Sequence, residues 1–187
     1  MQLFLDYIQT RIHLDDSLKE LLQTHFQERT VKKGTILLEE GKYCRQLYFI
    51  EKGLARTFYY EKGKDISSWF YREGLFLTSW YSFYNQASGF EYIETLEDCK
   101  LYAIDYLAYQ QLLDKHPKFD RFGRILAEEQ LSFMEYYSKG YMFMSAKEKY
   151  DWLLYFFPEV TQRVNLGHIA SLLGISQETL SRIRRRK

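Results

Sequence analysis

Residues 165–187, NLGHIASLLGISQETLSRIRRRK, admit few folds. Asn165 can cap a helix whose inner face is Ile169, Leu172 and Leu173, and Ala170 is small enough for a second helix to cross closely. Gly174 can take the positive φ that ends the first helix, and Ile175 can plug the corner. Ser176 then caps a second helix that buries Leu180 and Ile183 and leaves Gln177, Glu178, Ser181, Arg182 and Arg185 outward. This spacing predicts a helix-turn-helix. A plain helical hairpin shares the pattern, but it gives no reason for five cations (Arg182, Arg184, Arg185, Arg186 and Lys187) in the final six residues.

Charge supports a role for that end. Residues 161–187 hold six Lys/Arg against Glu178 alone, a net +5, while the rest of the chain holds 20 Lys/Arg and 24 Asp/Glu. A mildly acidic body with a basic terminus suits a polyanionic partner touched by that terminus only.

Upstream, DDSLKELLQTHF (residues 15–26) places Leu18, Leu21, Leu22 and Phe26 on one helical face behind an aspartate cap. From about residue 29 to 104, short runs such as QLYFIEK, LARTFYYE and CKLYAI are rich in β-branched and aromatic residues and are punctuated by glycines, which predicts an antiparallel barrel or jelly roll. That region contains no histidine, which removes barrel enzymes built on clustered imidazole ligands. Cys44 and Cys99 are the only cysteines and cannot by themselves hold an iron–sulfur cluster or a cysteine zinc site. No metal and no cofactor is expected. Neither GxSxG, a P-loop nor HExxH occurs, so no enzyme class is indicated. With no signal peptide and no 18-residue apolar stretch, a cytoplasmic protein off the membrane is expected.

Asp105 can cap a helix ending at Lys115, and Pro117 suits the first position of the next. Residues 118–139 read as one long helix with Phe119, Phe122, Leu126, Phe133 and Tyr136 at 3-4 spacing and Ala127, Leu131, Met134 and Tyr141 on a neighbouring face. A helix apolar on two faces needs two partners, here the barrel and the same helix of a second subunit; the competing reading is a central helix buried within one chain. Phe122, Leu126 and Phe133 are expected at the subunit pair. Ser145 and Glu148 then form a capping box, and Pro158 ends the helix that follows.

Glu178-Thr179-Leu180-Ser181-Arg182 resembles the Glu-x-x-Ser-Arg recognition helix of the Crp/Fnr family of bacterial transcription regulators, and the order of elements is similar to that family over nearly the whole chain. The resemblance implies an α+β protein: residues 1–115 a cyclic-nucleotide-binding-type jelly roll with flanking helices, 116–144 a dimerisation helix and hinge, and 145–187 a helix-turn-helix DNA-binding domain. It implies double-stranded DNA with an inverted-repeat site, a second copy of the chain and RNA polymerase as partners. The β wing that members commonly add has no counterpart before Lys187. Gln177, Glu178, Ser181 and Arg182 would read bases; Asn165, Ser176, Thr179, Arg184, Arg185, Arg186 and Lys187 would meet phosphates.

One part of the resemblance fails. Nucleotide-binding members carry a Gly-Glu pair and, about ten residues on, an Arg followed by a small residue; here Thr78-Ser79 and Gly89-Phe90 stand in those places. Without the arginine a buried phosphate has no counter-charge, so an effector other than cyclic AMP is expected. Its candidate lining is Trp69, Phe76, Thr78, Ser79, Trp80, Gly89, Phe90 and Tyr92; the competing reading is that these rings simply close the pocket. The rival from another class is a small-ligand-binding barrel whose basic C-terminus is incidental.

Overall fold

The computed structural model of the chain describes residues 1–185; Arg186 and Lys187, both expected at phosphates, lie outside the described residues. Two helices, α1 (Gln2–Gln9) and α2 (Asp16–His25), precede eight strands: β1 (Gln27–Val31), β2 (Ile36–Leu38), β3 (Gln46–Lys52), β4 (Ala55–Glu61), β5 (Lys64–Tyr71), β6 (Phe76–Leu77), β7 (Tyr92–Thr95) and β8 (Cys99–Asp105). A short helix, α3 (Trp80–Asn85), interrupts them between β6 and β7. The strands form two four-stranded antiparallel sheets, β1-β8-β3-β6 and β2-β7-β4-β5, the arrangement of a jelly roll. Antiparallel sheets, flanking helices and one long helix together match the α+β expectation.

The central strands are buried on both faces, as the continuous run Leu47, Tyr48, Phe49 and Ile50 shows. Leu47 and Phe49 of β3 and Leu101 of β8 are fully buried, and the helices add Phe4, Ile8, Leu22 and Phe26 to the same core. Phe4 and Ile8 come from α1, a helix the sequence reading missed because Asp6 and Arg11 break its apolar run. Gly53, between β3 and β4, is obligatory on two counts. Its φ is +100°, and a Cβ there would lie 2.7 Å from the Asp98 carbonyl oxygen and from the Cys99 sulfur.

Helix caps fall where the sequence placed them. Asp15 accepts from the Leu18 amide at 2.9 Å ahead of α2, and Asp105 accepts from the Leu107 amide at 2.9 Å ahead of α4 (Tyr106–Lys115). The long helix α5 runs from Pro117 to Phe143, roughly 40 Å at 1.5 Å per residue. Ser145 and Glu148 form both halves of the capping box at the start of α6 (Ala146–Phe156).

A second apolar core gathers the C-terminal elements: α6, the short α7 (Val160–Arg163), α8 (Leu166–Leu173) and α9 (Gln177–Arg185). It includes Leu54 and Phe70 from the barrel, so α8 lies against β5 and the two cores share a wall.

The face of α5 expected at a subunit pair is instead the one turned inward. Phe119, Phe122 and Leu126 are fully buried in the chain's own core: Phe119 meets Phe26 and Tyr109, and Phe122 meets Tyr7 and Phe76. Phe133 packs on Trp69 and Trp152. Residues at 3-4 spacing mark an apolar face but not its partner, and here that partner is intramolecular. The face left to solvent carries Ala127, Leu131 and Met134, with Tyr136 beside it.

Candidate functional site

Gly174 closes α8 in the left-handed conformation at φ +66°, and the Ile175 amide donates back to the Ala170 carbonyl at 3.0 Å. The Asn165 side chain accepts from the His168 amide at 2.8 Å, and Ser176 Oγ accepts from the Thr179 amide at 3.2 Å. Asn165 and Ser176 therefore serve as caps, and Ser176 Oγ also donates to Thr179 Oγ1 at 3.2 Å. Ile169, Ala170, Leu172, Leu173 and Leu180 are buried between the two helices and the rest of the second core.

That packing fixes what faces out. Gln177, Glu178, Arg182, Arg184 and Arg185 are exposed, and Ser181 is half-buried beside Arg182. Glu178 lies in the first turn of α9, where its own amide and the Ser176 hydroxyl hold its carboxyl below the ordinary range. The arginines occupy the last turn, where cations suit the helix dipole. The outer face of α9 thus presents one acceptor, then a donor fork one turn later.

A network that the sequence reading did not find joins this helix pair to the barrel. Arg56 of β4 is almost wholly buried; it pairs with Asp65 through two hydrogen bonds of 2.6 Å, with Glu94 at 2.9 Å and with Ser67 at 3.0 Å. Its Nη1 donates to Nδ1 of His168 at 2.7 Å, which fixes a neutral imidazole with its proton on Nε2. Burial first, and the Arg56 charge second, hold His168 below its ordinary pKa. Alongside, Ser171 Oγ accepts from the Ser67 amide at 3.1 Å, and the Tyr141 hydroxyl donates to the Leu172 carbonyl.

A second clamp lies at α7. Arg163 forks both Glu73 and Glu97, at 2.6–2.9 Å. Burial alone would raise the Glu73 carboxyl, but hydrogen bonds from Arg163 and from the Gly53 amide outweigh it and hold the carboxyl low. Arg163 had counted only towards the basic terminus. Its partners lie 66 and 90 residues away, and no local pattern signals such pairs.

A cavity of about 1250 Å³ opens between β4, β5, α3, α5, α6 and α8. Of the residues expected to line an effector site, Trp69, Phe76, Trp80 and Phe90 line this cavity. Thr78, Ser79, Gly89 and Tyr92 do not. Thr78 and Ser79 are fully buried and committed elsewhere: Thr78 Oγ1 donates to the Gln46 carbonyl at 2.9 Å, and Ser79 Oγ donates to Glu91 at 2.6 Å. Gly89 is bonded through its backbone to Gly41 and Lys42, and Tyr92 stacks on Phe58 at 5.0 Å. Glu91, which the sequence reading did not single out, lines the cavity itself.

The model of the cyclic nucleotide-binding domain family matches residues 28–116, from β1 to just past α4. No curated protein matches the sequence. Among solved structures, the chain is similar to the c-di-GMP-responsive global regulator CLP of Xanthomonas campestris, with a TM-score of 0.68 and 17% identity over 92% of this chain and 91% of that one. It is similar to a protein of Eubacterium rectale assigned to the crp/fnr family of transcriptional regulators (0.69, 21%, 92% and 83%) and to FixK2 of Bradyrhizobium japonicum (0.70, 16%, 86% and 83%). At such identities the likeness is one of fold, and it extends over the barrel, the long helix and the C-terminal helices together.

Proposed function

We propose that the chain is a homodimeric, sequence-specific DNA-binding transcription regulator of Crp/Fnr type whose effector is not a cyclic nucleotide. The observation that carries this reading is the outer face of α9: Gln177, Glu178 and Arg182 stand exposed on a helix whose other face is locked by Leu180 and the Gly174 turn. In this reading residues 1–115 form the sensor, 116–144 the connecting helix and 145–187 the DNA-binding domain, and the protein acts in the cytoplasm by binding DNA and RNA polymerase. Among the described residues no helix is long and apolar enough to cross a membrane.

With α9 in the major groove, Arg182 donates two hydrogen bonds to a guanine, Glu178 accepts from a cytosine amine, and Ser181 and Gln177 meet adjacent bases. Arg184 and Arg185, and Arg186 and Lys187 after them in sequence, meet phosphates, as do Asn165, Ser176 and Thr179 through their side-chain polar groups. Arg182→Ala is expected to weaken binding to a selected inverted-repeat duplex by about 1–3 kcal/mol and a scrambled duplex far less. Arg185→Ala should weaken both alike and make the log–log salt slope shallower by about 0.9. Salt titrations on the two duplexes check both. An equal loss on both for Arg182→Ala makes the basic end a non-specific tail.

Dimerisation falls to the exposed stripe of α5. Ala127, Leu131 and Met134 keep 3-4 spacing, and the i,i+4 pairs Arg124–Glu128 and Glu135–Lys139 flank them, as charges flank a coiled-coil seam. Leu131 is 73% exposed in the single chain, so Leu131→Glu should leave its folding stability within about 0.5 kcal/mol. The same change should convert a dimer to a monomer in sedimentation at micromolar concentration and abolish tight binding to the inverted repeat. An unmutated chain that sediments as a monomer there removes the seam.

A further inference from the structure

The cavity walls are aromatic and its charge is one-sided. Trp69 and Tyr71 of β5, Trp80 of α3, and Phe133 and Tyr137 of α5 face it, and at its mouth Tyr81 and Phe90 stand exposed with ring centroids 5.8 Å apart. Among the described lining residues four carboxylates, Glu40, Glu61, Glu91 and Glu129, meet two guanidiniums, Arg11 and Arg72. Arg11 is committed, pairing with Glu129 at 3.0 Å and stacking on Tyr7; Arg72 gives one long Nε hydrogen bond to the Phe156 carbonyl at 3.4 Å, so Glu40, Glu61 and Glu91 face this one remaining guanidinium.

Glu91 is the unbalanced group. Its carboxylate accepts from the neutral Ser79 hydroxyl at 2.6 Å, and among the described residues no Lys or Arg forms an ion pair with it. Beside it, the Tyr71 hydroxyl is already in hydrogen-bonding reach of Thr57 and Trp80. Burial raises the Glu91 carboxyl, the Ser79 hydrogen bond opposing it, so a positive charge brought to this wall is stabilised by the carboxylate it relieves. A phosphate brought to the same wall meets a like charge at Glu91, with which no arginine is paired among the described residues.

We propose that this cavity binds a small organic cation, an amine or quaternary ammonium with an apolar body, its charge met by Glu91 and its methyl or methylene groups caged by Trp69, Trp80 and Tyr71. Electron-rich ring faces attract such a cation, tryptophan most strongly, and the attraction grows where water is excluded. The volume, about 1250 Å³, suits an ammonium carrying a ring or chain rather than a bare one. Ser171, Leu172 and Gly174, from the helix pair that carries Arg182, also line the cavity. This deepens the sensor half of the function proposed above; the binding itself does not depend on the DNA half.

Calorimetry on the full chain, without DNA, tests it with benzyltrimethylammonium, its uncharged isostere neopentylbenzene, and cyclic AMP. The cation should bind saturably with a Kd below about 1 mM, the isostere about tenfold or more weakly, and cyclic AMP not at all. Glu91→Gln should weaken the cation about tenfold and leave the isostere unchanged, while the circular dichroism and unfolding midpoint of the variant report that it folds. Should the variant fold poorly, the charge preference of the unmutated chain decides. Cation and isostere binding equally, no saturable binding of the cation, tight cyclic AMP binding or an unaltered affinity in folded Glu91→Gln would each overturn the proposal. Gel shifts with and without the cation are read separately, so a failure of DNA binding does not count against the ligand, nor the reverse.

Discussion

Replacing Phe122 by alanine is expected to remove about 3–5 kcal/mol of folding stability, measured as a lower midpoint in chemical denaturation. The ring is fully buried, 5.9 Å from Phe76, 5.6 Å from Phe119 and 6.4 Å from Tyr7 between centroids, so its loss opens a cavity between α5, α1 and the barrel. Close-packed neighbours on three elements cannot all collapse into that space. The outcome separates the two faces of α5: Phe122→Ala should lower stability at every protein concentration, whereas Leu131→Glu should act on the association equilibrium. If Phe122→Ala leaves the midpoint unchanged and dissociates the dimer, then the ring lies at the subunit contact and the intramolecular packing described here is wrong.

Arg56→Ala is expected to be comparably severe, roughly 3 kcal/mol or more, because it leaves Asp65 and Glu94 as partly buried carboxylates without their shared cation. The side chain is 3% exposed, stacks over Phe58 at 4.0 Å, and spends its donors on Asp65, Glu94, Ser67 and His168. Lysine should not rescue it, since an ammonium cannot span that fork. The loss should appear locally as well, as faster hydrogen exchange in α8, which rests on β5 through this arginine.

A pH signature accompanies the network. Arg56, Asp65 and Glu94 face His168; burial and Arg56 lower its pKa from the ordinary 6.5, while the two carboxylates pull it back up. The unfolded chain therefore takes up a proton first as pH falls. Stability present above about pH 6.5 should be lost progressively below it, until the folded state also protonates. His168→Gln should flatten the dependence between about pH 7 and pH 5. A parent protein whose midpoint does not fall across that window, or an Arg56→Ala variant within about 1 kcal/mol of the parent, would remove the network as a determinant of docking.

Much of the architecture was legible in the chain because it is written at short range. Asp15, Asp105, Ser145 with Glu148, and Asn165 cap helices within three residues of themselves, and Gly174 ends α8 by its own backbone freedom. The spacing Ile169, Leu172, Leu173, Leu180 fixed which side of α9 faces inward, and so left Gln177, Glu178 and Arg182 outward. Short runs rich in β-branched and aromatic residues, now β3, β4 and β8, and the turn glycines between strands announced an antiparallel barrel. The missing arginine at Gly89-Phe90 was equally local, and it already argued against a bound phosphate.

The tertiary structure decided everything that depends on partners distant in sequence. Periodicity showed that α5 has two apolar faces, but only the position of the barrel determined that Phe119, Phe122 and Leu126 turn inward and Leu131 and Met134 turn out. Thr78 and Ser79 follow the sheet into a buried polar brace, so the cassette position that suggested a ligand contact supplies a support for Glu91 instead. Arg56 and His168 are 112 residues apart, and Arg163 and Glu73 are 90 apart. Such contacts form when the C-terminal helices come to rest on β5, and a side chain's own neighbours in sequence contain no trace of them. The chain alone specifies faces; which face meets which is a property of the packed molecule, because burial is shared between surfaces that only folding brings together.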